Sequence, residues 1–390
     1  MNKLNLRLLL SFAIIATVIS CKKKGCTDPL ASNYDANAEK NENCEYDTAT
    51  VVNYTVPSTY TFTDAAGNNT VSYGGQTSRM DMLSEMVTYL KTANGSNPSP
   101  ATLNASTLLS MYDNSYTSWA DTNLIDTGKK LKNKTALNDA GVQSMFEDWM
   151  NAAATASPGD TSYSYLQSTT GLEWTQVIEK GLMGACFVSQ MTSNYLANIS
   201  NDDNTVADDT SAGKYYTEME HHWDEAYGYF TDAIDYPVNG TNRFWGKYAN
   251  KSYLEGNLGT ATNISLAFRT GRAAISAGNI TDALAQKAII VAEVKHMVAG
   301  MAIHYLNDAK GKIGTSSQDA INHSMSEALA FIFGIQFVTD SPDMSTADIM
   351  LLVNQIEANV AGFTNNVQLI NAAVDQIATA TGLTAYKDIL

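Results

Sequence analysis

The fold is decided by the stretch TDALAQKAIIVAEVKHMVAGMAIHYLNDA, residues 281–309. Its apolar residues recur every three or four positions, which places them on one face of an α-helix. The preceding Gly278-Asn-Ile has the composition of a helix start, and Thr281 is the predicted N-cap. A helix longer than about 20 residues in a folded domain is typical of a helical bundle.

Helical patterns continue outward from this stretch in both directions. We predict further helices near 78–92, 101–112, 137–156, 171–197, 214–235, 252–278, 317–339, 345–360 and 366–380. The connections are short and rich in Asn, Gly, Ser and Pro, which favours antiparallel neighbours. The sequence therefore predicts an all-α domain over 76–390, built from two packed antiparallel helical-bundle halves at about 76–240 and 241–390.

The segment 49–75 has a different pattern. Thr59-Tyr-Thr-Phe and Thr70-Val-Ser-Tyr alternate polar and apolar residues, as β-strands do. Asp64-Ala-Ala-Gly-Asn-Asn between them is composed of turn residues. We therefore predict a short β-hairpin ahead of the helical domain.

The N-terminus has the pattern of an exported lipoprotein. Lys3 and Arg7 precede an apolar run too short to span a membrane, and Val18-Ile-Ser-Cys resembles the cleavage site before a lipid-modified cysteine. We predict a signal peptide over 1–20, a lipid on Cys21 that reaches the membrane, and no later stretch of about 18 uncharged apolar residues. The expected location is the cell envelope, as an outer-membrane lipoprotein on either the periplasmic or the surface side.

The remaining cysteines fall into two groups. Cys26 and Cys44 enclose a short polar segment, which a disulfide formed in the oxidising envelope would stabilise by about 3 kcal/mol. Residues 21–48 are therefore predicted to be a disulfide-closed spacer. The segment from Gly25-Cys-Thr-Asp-Pro to Cys44-Glu-Tyr also resembles a short extracellular repeat of Gram-negative secreted and surface proteins. Cys186 lies in an apolar helical stretch and is predicted to be a buried free thiol.

Charge and missing motifs exclude several function classes. The chain has 24 basic and 40 acidic residues, a formal net charge of −16, so it repels phosphate backbones and we expect no nucleic-acid partner. The sequence contains no His-Glu-x-x-His, Gly-x-Ser-x-Gly, Gly-Lys-Ser/Thr or Gly-x-Gly-x-x-Gly motif. This argues against zincin proteases, serine esterases and nucleotide enzymes, so we assign no catalytic residue and expect a binding protein rather than an enzyme.

The histidines are the best candidates for a site, since all five lie between residues 221 and 323. On the helix predicted at 214–235, Glu218, His222 and Glu225 share one stripe, whereas His221 points toward the expected solvent face. Imidazole and carboxylate ligands suit iron, manganese and similar divalent ions, and bundle cores often hold such ions this way.

Two further helices carry comparable pairs. Glu293, His296 and His304 share a face of the 281–309 helix, and His323 and Glu327 lie one turn apart on the next helix. The predicted metal ligands are Glu218, His222, Glu225, Glu293, His296 and His304. Each pair could equally satisfy itself by hydrogen bonding within a packed core, and that alternative stays open.

The loop 198–212 is rich in Asn and Asp. Its Asn201-Asp-Asp-Asn oxygens could take a calcium ion, but the loop lacks the glycine and terminal glutamate spacing of an EF-hand. A solvated loop is the expected structure. Arg269 and Arg272 could bind an anion, but arginines on such a helix are expected to pair with Glu or with carbonyl groups.

Several motifs resemble an uncharacterised family of bacterial lipoproteins. These are Glu220-His-His-Trp-Asp-Glu-Ala-Tyr, Gly171-Leu-Glu-Trp and Phe244-Trp-Gly-Lys-Tyr-Ala-Asn. The first is also similar to the Gly-x-His-x-x-Glu helix of imelysin-like proteins, which are all-helical envelope lipoproteins linked to iron regulation and once described as metallopeptidases. His222 and Glu225 match that motif, whereas Glu220 stands in place of its glycine.

These observations predict a cell-envelope lipoprotein that acts as a binding protein, with iron or another divalent metal held inside the bundle. Two alternatives remain: a structural or protein-interaction lipoprotein without metal, and a metallopeptidase-like hydrolase that uses the same residues. The sequence identifies no protein partner.

Overall fold

The computed structural model describes residues 23–26, 33, 35, 37–38, 40–43, 53–238, 243–338 and 344–390. The predicted signal peptide, Cys21 and Cys44 lie outside these residues. The chain divides into an N-terminal unit, residues 1–53, and a body, residues 54–390. In the N-terminal unit, strand β1 (Lys24–Gly25) pairs in parallel with strand β2 (Lys40–Asn41). Cys26 is buried and disulfide-bonded; its pairing with Cys44 stays a prediction.

The described part of the body is mostly helical, which confirms the predicted all-α fold. Its helices are α1 (Gly74–Lys91), α2 (Ala105–Tyr112), α3 (Ala140–Ala156), α4 (Trp174–Leu182), α5 (Glu218–Phe230), α6 (Phe244–Ala249), α7 (Ser252–Leu258), α8 (Thr260–Ser276), α9 (Ile280–Lys312), α10 (Gln318–Ile335), α11 (Thr346–Ala358), α12 (Val360–Thr364) and α13 (Val367–Thr381). A π-helical segment, Met183–Leu196, continues α4.

The core of the body lies around α9 and α10. Helix α9 packs against α8, α10 and α13, while α10 also packs against α4 and α11. The two predicted halves therefore pack on each other through α4 and α10. Within the described part of the chain, α9 is the one helix long and apolar enough to cross a membrane, and more than half of its most apolar window is buried inside the body.

Several helix boundaries in the structure differ from the predicted ones, and each difference has a local cause. Asn279, not Thr281, caps α9, because its side chain accepts the hydrogen bond from Asp282 N. The helix predicted over 252–278 divides into α7 and α8 at Gly259, whose φ of +68° ends the first helix. Gly300 allows a close approach, since a Cβ there would lie 2.7 Å from Leu254 Cδ2 of α7.

The predicted hairpin is present in a minimal form. Thr63 and Asn69 form an isolated antiparallel bridge, and Thr70 N donates to Phe62 O at 3.1 Å. A second strand pair, β3 (Ala207–Asp209) with β4 (Lys214–Thr217), precedes α5 in a segment predicted as loop and helix.

Candidate metal site

The start of α5 determines where its first charged side chains point. Thr217 Oγ1 accepts from Glu220 N at 3.2 Å, and Glu220 Oε2 accepts from Thr217 N at 3.0 Å. This capping box begins α5 at Glu218, so that Glu218 and His222 lie one turn apart on the same face. Both side chains therefore face the loop that follows the π-helical segment.

Glu218 and His222 meet Asp202 of that loop. His222 Nδ1 lies 2.8 Å from Asp202 Oδ2, and one ligand atom from each of the three residues lies within 4.8 Å of the other two. The loop is held to the helix because Asp203 N donates to Glu218 Oε2 at 3.0 Å and Met219 N donates to Asp203 O at 3.1 Å. We call Asp202, Glu218 and His222 the triad.

The three side chains of the triad differ in exposure to solvent. The Asp202 side chain is 8% exposed and that of His222 31%, while Glu218 is exposed. Burial raises the pKa of the Asp202 carboxyl above its ordinary value; hydrogen bonding and charge from His222 oppose the rise, whereas Glu218 adds to it. A cation between the carboxylates would relieve this repulsion, and one side of the triad is open to solvent.

Glu225 does not join the triad. Its Oε1 accepts from Gln76 Nε2 of α1 at 2.8 Å, so the side chain points toward another helix. His221, predicted to face solvent, is half-buried; its Nδ1 donates to Ser72 O at 3.0 Å, and its ring stacks on Tyr216. Of the three predicted ligands on this helix, Glu218 and His222 therefore lie in the triad and Glu225 lies outside it.

The predicted ligands on α9 lie outside the triad and have other partners. His296 Nδ1 is 3.9 Å from Glu293 Oε2, and the His304 ring stacks on Tyr253 with centroids 3.6 Å apart. Helix α8 packs against both α5 and α9. Among the described residues, only the triad brings three potential metal ligands close enough to share one ion. The six predicted ligands therefore do not form one cluster.

Sequence reasoning did not place Asp202 among the candidate metal ligands. The available signal is Asn201-Asp-Asp-Asn, whose oxygens point to calcium and whose composition is typical of a solvated loop. Helical spacing relates residues of one helix, but it says nothing about which loop residue lies against that helix. Only the folded arrangement of the loop against α5 brings Asp202 to His222.

The other polar candidates are structural. Arg272 is fully buried, and its Nη1 lies 2.6 Å from Glu220 Oε1 and its Nε 2.9 Å from Asp224 Oδ1, as expected for an arginine paired with carboxylates. Arg269 Nη1 donates to Pro57 O at 2.6 Å. Cys186 is a buried free thiol, as predicted, and burial raises its pKa to about 12, so it is not a reactive nucleophile.

The fold and the triad define an all-helical protein with a candidate cation site at the start of one helix. Residues 57–384 match the family described as domain of unknown function (DUF4856), and the chain belongs to this family. No curated protein and no solved structure matches the chain significantly.

Proposed function

We propose that this chain is a cell-envelope lipoprotein that binds a divalent metal ion, iron or one of similar preference, through Asp202, Glu218 and His222. The observation that supports it is the convergence of two carboxylates and one imidazole from a loop and a helix within 4.8 Å. Such a mixed oxygen and nitrogen donor set suits Fe²⁺, Mn²⁺ and Zn²⁺.

The surroundings of the triad support reversible binding. Asp203 N already orients Glu218, so little side-chain freedom is lost when an ion binds. The exposure of Glu218 gives an ion a route from solvent. The proposed ligands include His222 of the imelysin-like motif but not Glu225, because that carboxylate is bonded to Gln76.

The membrane link in this proposal depends on the N-terminal sequence. A lipid on Cys21 would tether the body through the spacer 21–48, and three lysines, residues 22–24, would lie near anionic headgroups. Incorporation of labelled palmitate into the wild-type chain, and its loss in Cys21→Ala, would support lipidation. An unlabelled wild-type chain in a lipoprotein-competent host would contradict it.

The first prediction concerns metal content. The full-length chain, purified without a histidine tag, should bind Fe²⁺, Mn²⁺ or Zn²⁺ stoichiometrically, as measured by calorimetry and elemental mass spectrometry. His222→Ala and Asp202→Asn should each weaken binding at least about tenfold, because each removes one of three ligands.

The matched controls are His296→Ala and Glu225→Gln, which leave the triad intact and should bind like the wild-type chain. A wild-type chain that takes up none of the three ions, or triad variants that bind as tightly as wild type, would overturn the proposal. The alternative of a structural or protein-interaction lipoprotein would then be favoured. The hydrolase alternative requires in addition a cleavage activity that a chelator removes.

A further inference from the structure

A second concave site lies on the body, lined by residues from three segments. The loop 158–171 forms one wall, the first turn of α10 forms another, and Ala358 and Asn359 close the site where α11 meets α12. The cavity is about 730 Å³, within the usual range of small-molecule sites. None of the triad residues lines it.

An ordered chain of side-chain amides forms the inner wall. Gln318 Nε2 donates to Asn322 Oδ1 at 2.8 Å, Asn322 Nδ2 donates to Gln167 Oε1 at 2.9 Å, and Gln167 Nε2 donates to Asp319. The Asp319 carboxylate can only accept, so it sets the direction of every bond in this amide chain. The hydrogen-bonding groups of the wall are therefore oriented before any ligand arrives.

The backbone of the loop lies directly against this wall. Gly171 has φ of +91°, and a Cβ at that position would lie 2.7 Å from Asn322 Nδ2. The glycine therefore allows the loop to approach the amide chain. Ser168 and Thr170, whose hydroxyl oxygens are 2.8 Å apart, add further polar groups beside it.

Two tyrosines supply flat apolar faces. Tyr165 stacks on the His323 ring with centroids 4.6 Å apart and planes at 20°, and His323 Nδ1 is held by the buried Glu173 at 2.6 Å. Tyr163 lies at the rim with 43% of its surface exposed. One ring is thus fixed from behind, and the other exposes part of its surface beside the cavity.

The lining is almost uncharged in a strongly acidic chain. Among the described residues that line the cavity, Asp160 is the charged one, and the Asp319 carboxylate that ends the amide chain is not part of the lining. The other lining residues are amides, hydroxyl residues, tyrosines and small residues. Anionic and strongly cationic ligands would find little complementary charge here. An apolar ligand would remove water from the amide N–H groups and lone pairs that the amide chain itself does not use, which costs about 1–3 kcal/mol for each group left unpaired.

We propose that this cavity binds a saccharide. Sugar hydroxyls pair with amide and hydroxyl groups as both donors and acceptors, while the C–H faces of sugar rings pack on tyrosines. The oriented amide chain, the tyrosines and the neutral lining together match that chemistry.

The test is calorimetry with the full-length chain and a panel of neutral trisaccharides, namely chitotriose, cellotriose, maltotriose and mannotriose. At least one should bind at millimolar concentration or below. Tyr163→Ala should weaken that binding about tenfold, and Gln318→Ala about three- to tenfold, from the loss of a stacking face and of one hydrogen-bonding group. Tyr215→Ala, a tyrosine of β4 outside the cavity, is the matched control and should bind normally.

Three results would overturn the inference. The first is that no panel member binds at millimolar concentration, and the second is equal binding by Tyr163→Ala, Gln318→Ala and wild type. The third is saccharide binding that EDTA abolishes, since that would place the sugar at a metal ion. The inference does not rest on the proposed metal site, so either proposal can fail alone.

Discussion

At the residue scale, His323 lies between two buried carboxylates, and these charged groups must stay together in the folded state. His323 Nδ1 lies 2.6 Å from Glu173 Oε2, and its Nε2 lies 3.5 Å from Glu327 Oε2. Lys180 and Tyr248 approach the other oxygen of Glu327, at 3.7 and 3.3 Å. An imidazolium here joins two carboxylates that are both almost completely buried.

These contacts predict a pH dependence of stability. Burial alone lowers the pKa of His323, but the hydrogen bond to Glu173 and the charges of Glu173 and Glu327 outweigh it and raise the pKa. Burial also raises the pKa of Glu173, against the opposing effects of His323. The folded state thus holds protons that the unfolded state releases, so this stabilisation is complete below pH about 6.5 and is lost as pH rises through the folded-state pKa of His323.

Urea unfolding of the wild-type chain between about pH 6 and about pH 9 should show this loss of free energy of unfolding. His323→Gln should have a flatter dependence, because a glutamine cannot carry the proton. His296→Gln is the control, since His296 lies 3.9 Å from Glu293 without a hydrogen bond, and it should keep the wild-type slope. A wild-type slope in His323→Gln would contradict the assignment.

At the element scale, one contact sets the distance between the π-helical segment and α10. A Cβ on Gly184 would lie 2.7 Å from Gly334 Cα, closer than any side chain tolerates. An alanine at Gly334 would be different. Its Cβ would lie 3.4 Å from Val298 Cγ1 and 3.6 Å from Gly184 Cα, which are ordinary contacts. The two glycines thus form a natural pair for comparison.

Gly184→Ala should lower the free energy of unfolding by about 1–3 kcal/mol, since two backbones must move apart. Gly334→Ala should be neutral or stabilising by up to about 1 kcal/mol, because the added methyl fits and alanine favours a helix over glycine by about that amount. Thermal and urea unfolding of both variants would measure this. Equal destabilisation of the two would show that the contact does not set the helix spacing.

At the scale of the whole molecule, both halves of the chain contribute to one core. Helix α10, from the second half, packs against α4 from the first half, and Trp245 Nε1 donates to Met183 O across the same boundary at 2.9 Å. Phe146 and Phe333 also meet there, with ring centroids 6.0 Å apart. A chain cut near residue 240 would therefore expose large apolar faces on both fragments.

We predict that residues 241–390, expressed alone, do not reach the native fold. The face of α10 that covers α4 would be exposed, and its burial stabilises both halves. Circular dichroism and amide-proton NMR should show a collapsed or aggregated state, whereas the full-length chain unfolds in one cooperative transition. A soluble 241–390 fragment with dispersed NMR signals would contradict this prediction.

The sequence alone was enough to establish the helical fold. Apolar residues at helical spacing, with Asn, Gly, Ser and Pro between the runs, predict most of the helices within a few residues, because these signals act within one turn of the chain. The predictions were wrong where the conformation of a short segment is not determined by the apolar spacing of its own residues. One is the division at Gly259, and another is the strand β4 placed before α5.

The candidate sites depended on tertiary structure to a much greater degree. The spacing of Glu218 and His222 on one face follows from the helix itself, but Asp202 reaches them only because its loop folds back onto α5. Glu225 lies outside the triad, because its side chain accepts a hydrogen bond from Gln76 of α1. Periodicity determines which face of a helix a residue occupies, whereas only packing in three dimensions decides what that face meets.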